Sequence, residues 1–589
     1  MKFKFISIAL LALSFAGACG SDDMESPDGE FDVAFADGKA DSMISECDTE
    51  TLLSKLNNAE TSVETLKDAG IHTRAAKNII AQRDGADALP GTSDDYRFGS
   101  LVEVDDVSYV GPVAMSQLLE MVAGSTCEAV VSGNAEVIFS PQPYDQSHLA
   151  KVAELIDTAT HSLDIAMYSY SDAKIGAAIG RAKARGIDVR FIFETANEDK
   201  SDPANTKSSR LEDMGVDVRY VNKIMHHKFV LIDGPRDLNV FQNQTDAGIL
   251  ATGSGNWSNS AGVKYDENTL FMYGNAELNM RYQREFNHLW ANSRDFSWNT
   301  DLEYFESDTI DSEDIVNDSA VDAVFTSANF KVYESSRYGA TFSSLAGRNT
   351  VADRLVDMIS SAQDSIWVAS GHLRSRPIAE AILAAKANNP NLDVRVYLDG
   401  QEFIAKSTSD LQDSKLSTCL EAAGTSVAKK DDCLDRGFYF SYAMQEAGIP
   451  LQFKYYSYRW HYTYAAQMHH KYLIIDGKTL AMGSYNLSDN AEHNTMENVT
   501  ILDGSGYQNI INAYIDNFNS MWNTGEGLYE PLMDKIENGT GSVPIVFDSM
   551  SLSWDEVNDL KSTINRVCSN VNDANHRNYP ERNFTCARR

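Results

Sequence analysis

The sequence predicts an α/β protein of two lobes behind a small all-α unit, and three observations carry that prediction. A polar phrase set in an apolar, strand-like run occurs twice, about 240 residues apart. Each occurrence is preceded by short apolar runs alternating with helical stretches, the pattern of a mostly parallel sheet covered on both faces. Between Cys47 and Cys127, by contrast, the chain reads as apolar helices joined by glycine-containing hairpins. A chain of 589 residues suits three or four such units, and the repeat marks two of them as domain-sized copies.

Taken from the N-terminus, Lys2 and Lys4 precede an apolar stretch from Phe5 to Ala18, too short to cross a bilayer as a stable helix. Residues 1–19 are therefore expected to be an export signal. Phe15-Ala16-Gly17-Ala18-Cys19-Gly20 resembles the lipobox of bacterial lipoproteins, with Ala16 where leucine is usual. The resemblance implies a lipid anchor on Cys19, attachment to a membrane through it, and sorting to the outer membrane of the cell envelope, because Gly20 and not Asp follows. Cleavage near Ala18 with secretion is the alternative. Residues 20–46 are acidic and poor in large apolar side chains, as a flexible tether would be.

Residues 47–127 form the expected helical unit. Leu66-Lys67-Asp68-Ala69-Gly70-Ile71 precedes one apolar helix, and Val107-Ser108-Tyr109-Val110-Gly111-Pro112 precedes another. The pair resembles tandem helix-hairpin-helix motifs, which implies contact with nucleic acid. Neither hairpin has the full G-x-G that offers backbone amides to phosphate, and the unit holds thirteen acidic against six basic residues. That balance opposes nucleic-acid binding and favours a spacer or protein-interaction module. Asp84, Asp87, Asp94 and Asp95 lack the spacing of a calcium loop and read as a solvated loop.

The first lobe, residues 135–300, opens with strands at Glu136–Ser140, Leu163–Tyr168 and Val189–Phe193, separated by helices near His148–Ala159 and Lys174–Arg185. It closes with a helix carrying Tyr282, Phe286 and Leu289 at helical spacing. An acidic linker at 301–330 leads to the second lobe, 331–525. That lobe repeats the pattern with helices near Val351–Ser361 and Ile378–Ala385 and strands at Ser365–Ala369 and Leu392–Leu398. Residues 526–589 are a C-terminal extension. Without Cys19 six cysteines remain, an even number in an exported chain. Of fifteen connectivities the local one, Cys47–Cys127, Cys419–Cys433 and Cys568–Cys586, is expected because each pair brackets its own segment.

The repeated phrase carries the chemistry. Met225-His226-His227-Lys228 runs into Phe229-Val230-Leu231-Ile232-Asp233-Gly234, and Met468-His469-His470-Lys471 into Tyr472-Leu473-Ile474-Ile475-Asp476-Gly477. Both are H-x-K-x4-D. Gly253-Ser254-Gly255-Asn256 and Gly483-Ser484-Tyr485-Asn486 echo each other next, and Glu267 and Glu497 each lie eleven residues beyond their Asn, each followed by another Asn. On a strand His226 shares a face with Lys228, and His469 with Lys471, while His227 and His470 point away. Ser254 and Asn256, and Ser484 and Asn486, pair likewise. These groups suit attack on a phosphodiester: an imidazole as nucleophile, ammonium and amide groups on phosphate oxygens, a hydroxyl as a further hydrogen bond, and a carboxylate fixing each imidazole. Two copies supply one attacking histidine and one protonated histidine for the leaving oxygen. A metal site is disfavoured: neither half sets Cys or carboxylate partners at ligand spacing, and a lysine between them repels a cation.

On these residues the chain resembles the phospholipase D superfamily, whose signature is H-x-K-x4-D followed by G-S-x-N, over roughly residues 135–300 and 331–525. The resemblance implies two α/β lobes about a pseudo-twofold axis with one site between them. It also implies a metal-independent, cofactor-free reaction through a phosphohistidine, in a monomer because both lobes share one chain. It further implies His226 as nucleophile, His469 as acid, and structural Asp233 and Asp476, whose strand parity and following glycine already suggest a turn. One departure is the longer stretch from Asp233 to Gly253, with an added loop from Pro235 to Asp246.

Several substrate readings stay open. A net charge of −35 argues against a surface wrapping duplex DNA and, with the envelope address, favours a phospholipid, hydrolysed at its head-group ester to phosphatidic acid. A nuclease is the enzymatic alternative. A cardiolipin-building phosphatidyl transferase is a further one, disfavoured by the absence of membrane helices typical of those enzymes. An envelope-tethered binding scaffold is the non-enzymatic one. His372 and Arg374, after a strand end, are candidates to meet a phosphate or head group. The aromatic run Tyr455, Tyr456, Tyr458, Trp460, Tyr462 and Tyr464 could wall a cation or a stacked base, or be an ordinary sheet face.

Overall fold

Each motif strand feeds two cores at once. In Lys228–Ile232, Val230 and Ile232 face the helices of their own lobe while Phe229 and Leu231 enter a core shared with the other lobe. In Lys471–Ile475, Leu473 and Ile475 alternate in the same way with Tyr472 and Ile474. A strand buried on both faces has no polar side to show, which is why both runs are apolar throughout. Each fully buried aromatic or branched side chain there is worth about 1.5–3 kcal/mol against exposure, so the shared core is a principal tie between the lobes.

These relations come from a computed structural model that describes residues 135–236, 247–296, 315–336, 339–434, 436–456, 465–569 and 585–589, together with Ile310 and parts of the segment 52–121. The expected signal, Cys19, Cys47, Cys127, Asp87, Asp94, Asp95 and most of the aromatic run (Tyr458, Trp460, Tyr462, Tyr464) lie outside the described residues, as does most of the Pro235–Asp246 loop. The chain divides into two units, 1–127 and 128–589. In the first, helices at Val63–Asp68, Thr73–Arg83 and Pro112–Glu120 surround a small core of Leu66, Ile71, Ile79, Val107 and Leu118. Gly70 turns between the first two at φ +91°, where a side chain would be strained. Asp84 is not solvated as expected: it is buried against Arg83 at 2.7 Å.

The first lobe's sheet comprises β1 (Ala135–Ser140), β2 (Ser162–Met167), β3 (Asp188–Phe193), β4 (Asp217–Tyr220), β5 (Lys228–Ile232), β6 (Ile249–Gly253), β7 (Glu267–Tyr273) and β8 (Arg294–Asp295). They lie in the order β1-β7-β6-β5-β2-β3-β4-β8. The second comprises β9 (Val321–Phe325), β10 (Ser365–Ser370), β11 (Asp393–Asp399), β12 (Leu451–Tyr455), β13 (Lys471–Ile475), β14 (Thr479–Gly483), β15 (Asn498–Asp503) and β16 (Met550–Ser553). Their order, β9-β15-β14-β13-β10-β11-β12-β16, repeats the first strand for strand.

Three expectations need correction. The sheets are mixed rather than mostly parallel: only β2-β3-β4 and β10-β11-β12 pair in parallel, because only these strands are joined by crossover segments, whereas the motif strands pair antiparallel with their neighbours. The acidic linker drawn at 301–330 runs too far, since β9 inside it pairs with β15. The C-terminal extension is no appendage. Its β16 closes the edge of the second sheet beside β12, and Leu532, Ile536, Leu552, Leu560 and Ile564 complete that lobe's core. Cys419 pairs with Cys433 and Cys568 with Cys586, with Cα atoms 5.9 and 5.8 Å apart.

Candidate active site

Asp233 and Asp476 end the motif strands at φ +53° and +54°, a left-handed conformation that Asp tolerates better than most residues other than glycine. Each carboxylate reaches a segment distant in sequence. Asp233 accepts from the backbone N–H groups of Thr160, His161 and Ser162, and Asp476 from those of Gln363, Asp364 and Ser365. They tie β5 to β2 and β13 to β10, and stand away from the chemistry.

The two lobes exchange backbone where the motifs begin. Ile224–Met225 pairs with Thr495–Met496, and Asp266 bridges Met468. The His226 N–H donates to Met496 O at 3.1 Å and the His469 N–H to Asp266 O at 3.0 Å. Each histidine is thereby set beside the carboxylate that follows its pairing partner, and that carboxylate belongs to the other lobe. His226 Nδ1 lies 2.9 Å from Glu497 Oε2, and His469 Nδ1 2.8 Å from Glu267 Oε1. The sequence assigned a carboxylate to each imidazole without saying which; the backbone bridges bring His226 to Glu497 and His469 to Glu267. Both glutamates are fully buried. With Nδ1–H donated to a carboxylate, each imidazole keeps Nε2 for chemistry.

Ser254 and Ser484 are corrected as well. Both are fully buried. Ser484 Oγ donates to Glu497 Oε2 at 2.6 Å and accepts from the Asn498 N–H. Ser254 Oγ accepts from the Asn268 N–H and bonds Glu267. These hydroxyls hold the carboxylates rather than face a substrate. The glycine before each serine is set by close approach, since a Cβ on Gly253 or Gly483 would meet the Asn268 or Asn498 carbonyl oxygen at 2.2 or 2.3 Å. Asn256 and Asn486 are half-buried, with Oδ1 of each unpartnered among the described residues. Asn486 lines a cavity of about 140 Å³ with His226, Glu497, Tyr168 and Ile224. A larger cavity of about 610 Å³, along Arg281, Arg284 and His288, includes none of the motif residues.

Lys228 Nζ donates to His226 O and Lys471 Nζ to His469 O, each at 2.7 Å. Burial draws Lys228 down to about 7 and Lys471 to about 8, against the pull of Glu267 and Glu497. Burial, then Lys228 and Lys471, holds His226 well below its ordinary value; burial, then Lys471 and Lys228, does the same to His469. Each imidazole feels the lysine of the opposite lobe, so one electrostatic site spans both. Burial pushes Glu267 and Glu497 up to about 7. Such a pocket is short of a counter-anion, and a bound phosphodiester would restore charge to both lysines.

His227 and His470 pack inward as expected, but their partners were not foreseen. Asn498 Nδ2 donates to His227 Nδ1 and Asn268 Nδ2 to His470 Nδ1, both at 2.9 Å and both across the lobes. The duplicated Glu-Asn dipeptide was the signal: the glutamate serves the active histidine and the asparagine the inward one. Other contributors left no repeat to find. Tyr168 packs its ring 4.5 Å from that of His226, and Lys454 pairs across the lobes with Asp266 at 2.7 Å. No group of three or more His, Cys, Asp or Glu side chains is placed to hold a metal ion among the described residues, and no helix among them is long and apolar enough to cross a membrane.

Comparison with known proteins follows this geometry. A family model described as cardiolipin synthase, PLD-like domain, matches residues 152–290 and again 355–522, together more than half of the chain. Among curated proteins, the mitochondrial cardiolipin hydrolase of Drosophila melanogaster is 27% identical over 152 residues, 24% of this chain and 58% of that protein. Its Xenopus tropicalis counterpart is 28% identical over 26% of this chain and 64% of its own length. The chain thus spans about three-fifths of the length of these relatives. Among solved structures, phosphatidylserine synthase of Haemophilus influenzae aligns over 66% of this chain and 87% of its own at 13% identity, with a TM-score of 0.43. The duplicated match, laid over two sheets of identical strand order, places this chain in the phospholipase D superfamily as a two-lobed member.

Proposed function

We propose that the protein is a phospholipase D-type hydrolase that cleaves a phospholipid head-group ester to phosphatidic acid through a phosphohistidine. The observation that carries this reading is the pair of imidazoles, each held through Nδ1 by a buried carboxylate of the other lobe. His226 Nε2 attacks phosphorus as the bond to the head-group oxygen breaks, and His469, which takes up a proton at Nε2 as the anionic phosphodiester binds beside it, gives that oxygen its proton. Water then loses a proton to His469 and attacks phosphorus, the P–N bond breaks, and phosphatidic acid leaves. Lys228, Lys471, Asn256 and Asn486 meet the phosphate oxygens. A lipid is favoured over nucleic acid by the net charge of −35 and by the lipid-acting relatives. The reading includes an exported protein anchored through Cys19, in line with the N-terminal sequence.

The test is incubation of the purified protein with labelled phosphatidylcholine or phosphatidylethanolamine vesicles plus ethanol, and in parallel with single-stranded and duplex DNA. Phosphatidic acid and phosphatidylethanol should form together, persist in EDTA, and vanish together in His226→Ala, because hydrolysis and transfer share one intermediate. Cleavage of DNA without phosphatidylethanol would replace this reading with a nuclease.

A further inference from the structure

The strands β2 and β10 occupy equivalent places, with Met167 opposite Lys228 and Ser370 opposite Lys471. The residues that follow them are not equivalent in chemistry. On the first side Tyr168 covers His226 and lies 5.0 Å from Lys228 Nζ. On the second the same position is Gly371, whose Cβ would meet Met468 O at 2.8 Å. The backbone therefore runs close beside Met468 and His469, and among the described residues no aromatic ring packs on that histidine as Tyr168 does on His226.

Past Gly371 come two basic side chains where the first lobe has Ser169 and Ser171. Glu402, almost fully buried, aligns both. It accepts from Arg374 Nη2 at 2.6 Å and Nε at 3.0 Å, pairs with His372 Nδ1 at 2.9 Å, and takes the Leu373 N–H. Tyr439 packs against the guanidinium at 4.4 Å. Arg374 Nη1 and His372 Nε2 have no hydrogen bond to the described residues, and the two side chains are 27% and 32% exposed. The residue before His372 lies against the second motif: the Gly371 N–H donates to His470 O at 3.0 Å, and a Cβ on Gly371 would stand 3.8 Å from His469 Cα. A buried carboxylate that aims two part-exposed donors beside a reacting histidine is a prepared anion site.

We propose that His372 and Arg374, oriented by Glu402, bind a second phosphate carried by the substrate next to the scissile one, on the His469 side. The proposal rests on the reading of the cleft as a phosphodiesterase site and adds a substrate class to it: a phosphodiester with another phosphate a few bonds away. A lipid with two phosphates on one glycerol and a nucleic-acid strand both have that chemistry.

The experiment is titration calorimetry on the purified full chain, which needs no turnover. Glycerol 1,3-bisphosphate is compared with glycerol 3-phosphate, and thymidine 3′,5′-bisphosphate with thymidine 5′-monophosphate. In the wild type at least one bisphosphate should bind about tenfold or more tighter than its monophosphate, the worth of one charge-assisted hydrogen bond. The gap should collapse in Arg374→Gln and shrink in His372→Gln, with melting curves confirming that both variants fold. A gap confined to the glycerol pair assigns the site to a lipid, and one confined to the thymidine pair to a nucleic acid. Equal binding of each pair by the wild type, or a gap unchanged in both variants, overturns the proposal. Hydrolysis of bis(4-nitrophenyl) phosphate, which has no second phosphate, reads the phosphodiesterase assignment separately. Wild-type inertness there with the gap present would sink that assignment and keep the subsite, and activity without a gap would do the reverse.

Discussion

Exchanging the two buried carboxylates for amides, one at a time, tests the crossed pairing directly. Glu497 accepts from His226 Nδ1, from Ser484 Oγ at 2.6 Å and from Thr495 Oγ1 at 2.9 Å. Glu497→Gln keeps the shape but removes the charge and turns one acceptor into a donor, which in the place of Oε2 faces His226 Nδ1 and Ser484 Oγ. A lost charge-assisted hydrogen bond is worth about 1.5–3 kcal/mol, about ten- to 150-fold in rate, and a wrong imidazole tautomer raises the loss toward about 10⁴. With His226 as nucleophile, Glu497→Gln should behave as His226→Ala does. It should form no acid-labile phosphoenzyme in a quench with bis(4-nitrophenyl) phosphate, and kcat/KM should fall at least a hundredfold. Glu267→Gln should still form the phosphoenzyme with this substrate, since nitrophenolate leaves without a proton, and should fail mainly on alkyl esters that need His469 as acid. Pairing within a lobe would reverse the two variants. Loss of the phosphoenzyme in Glu267→Gln with its retention in Glu497→Gln would refute either the crossed pairing or the choice of His226, and mapping the labelled histidine in Glu497→Gln says which.

Two further outcomes follow from the same geometry. Glu267 and Glu497, raised by burial to about 7, take up protons below that pH, while Lys228 and Lys471, lowered by burial to about 7 and about 8, lose theirs above it. The kcat/KM profile on a soluble diester should therefore fall on both the acid and the alkaline side of neutrality; a profile flat from about pH 5 to about pH 10 would contradict the assignment of these groups. Asp233→Ala removes an acceptor from three backbone N–H groups at a left-handed residue. It should lower unfolding free energy by about 2–4 kcal/mol in denaturant melts while kcat/KM of the folded protein changes little. A large loss of kcat/KM at full stability would give this carboxylate a chemical role.

What the sequence made legible was whatever the chain repeats or alternates. Strand parity separated His226 from His227 and His469 from His470, and the Asp-Gly ends of both runs announced turns. Partnership across the lobes was not legible, because a duplicated chain offers each glutamate two histidines in matching motifs and no local rule chooses between them. The choice is made by the backbone bridges at Met225–Met496 and Asp266–Met468, which are tertiary contacts between segments far apart in sequence. The serines illustrate the same limit. Spacing put Ser484 near the site, but only the packed structure turns its hydroxyl onto Glu497. The C-terminal strand Met550–Ser553 was hidden for another reason: four residues closing a sheet edge leave almost no periodicity to read.

Crossing the pairs has a consequence for how the site is built. If each glutamate served its own lobe, either lobe could assemble half of the chemistry alone. Here each histidine takes its backbone anchor and its carboxylate from the opposite lobe, and each inward histidine takes its donor from there too. Separation of the lobes would therefore strip both imidazoles of their orienting groups at once and break the cross-lobe hydrogen bonds of Glu267, Glu497, Asn268 and Asn498, each worth about 0.5–3 kcal/mol. The site and the lobe interface are one structure, and rigidity at the phosphate follows from it. Adaptation to a substrate then falls to places where the lobes differ in chemistry, among them the Tyr168 wall on one side and the His372–Arg374–Glu402 group on the other.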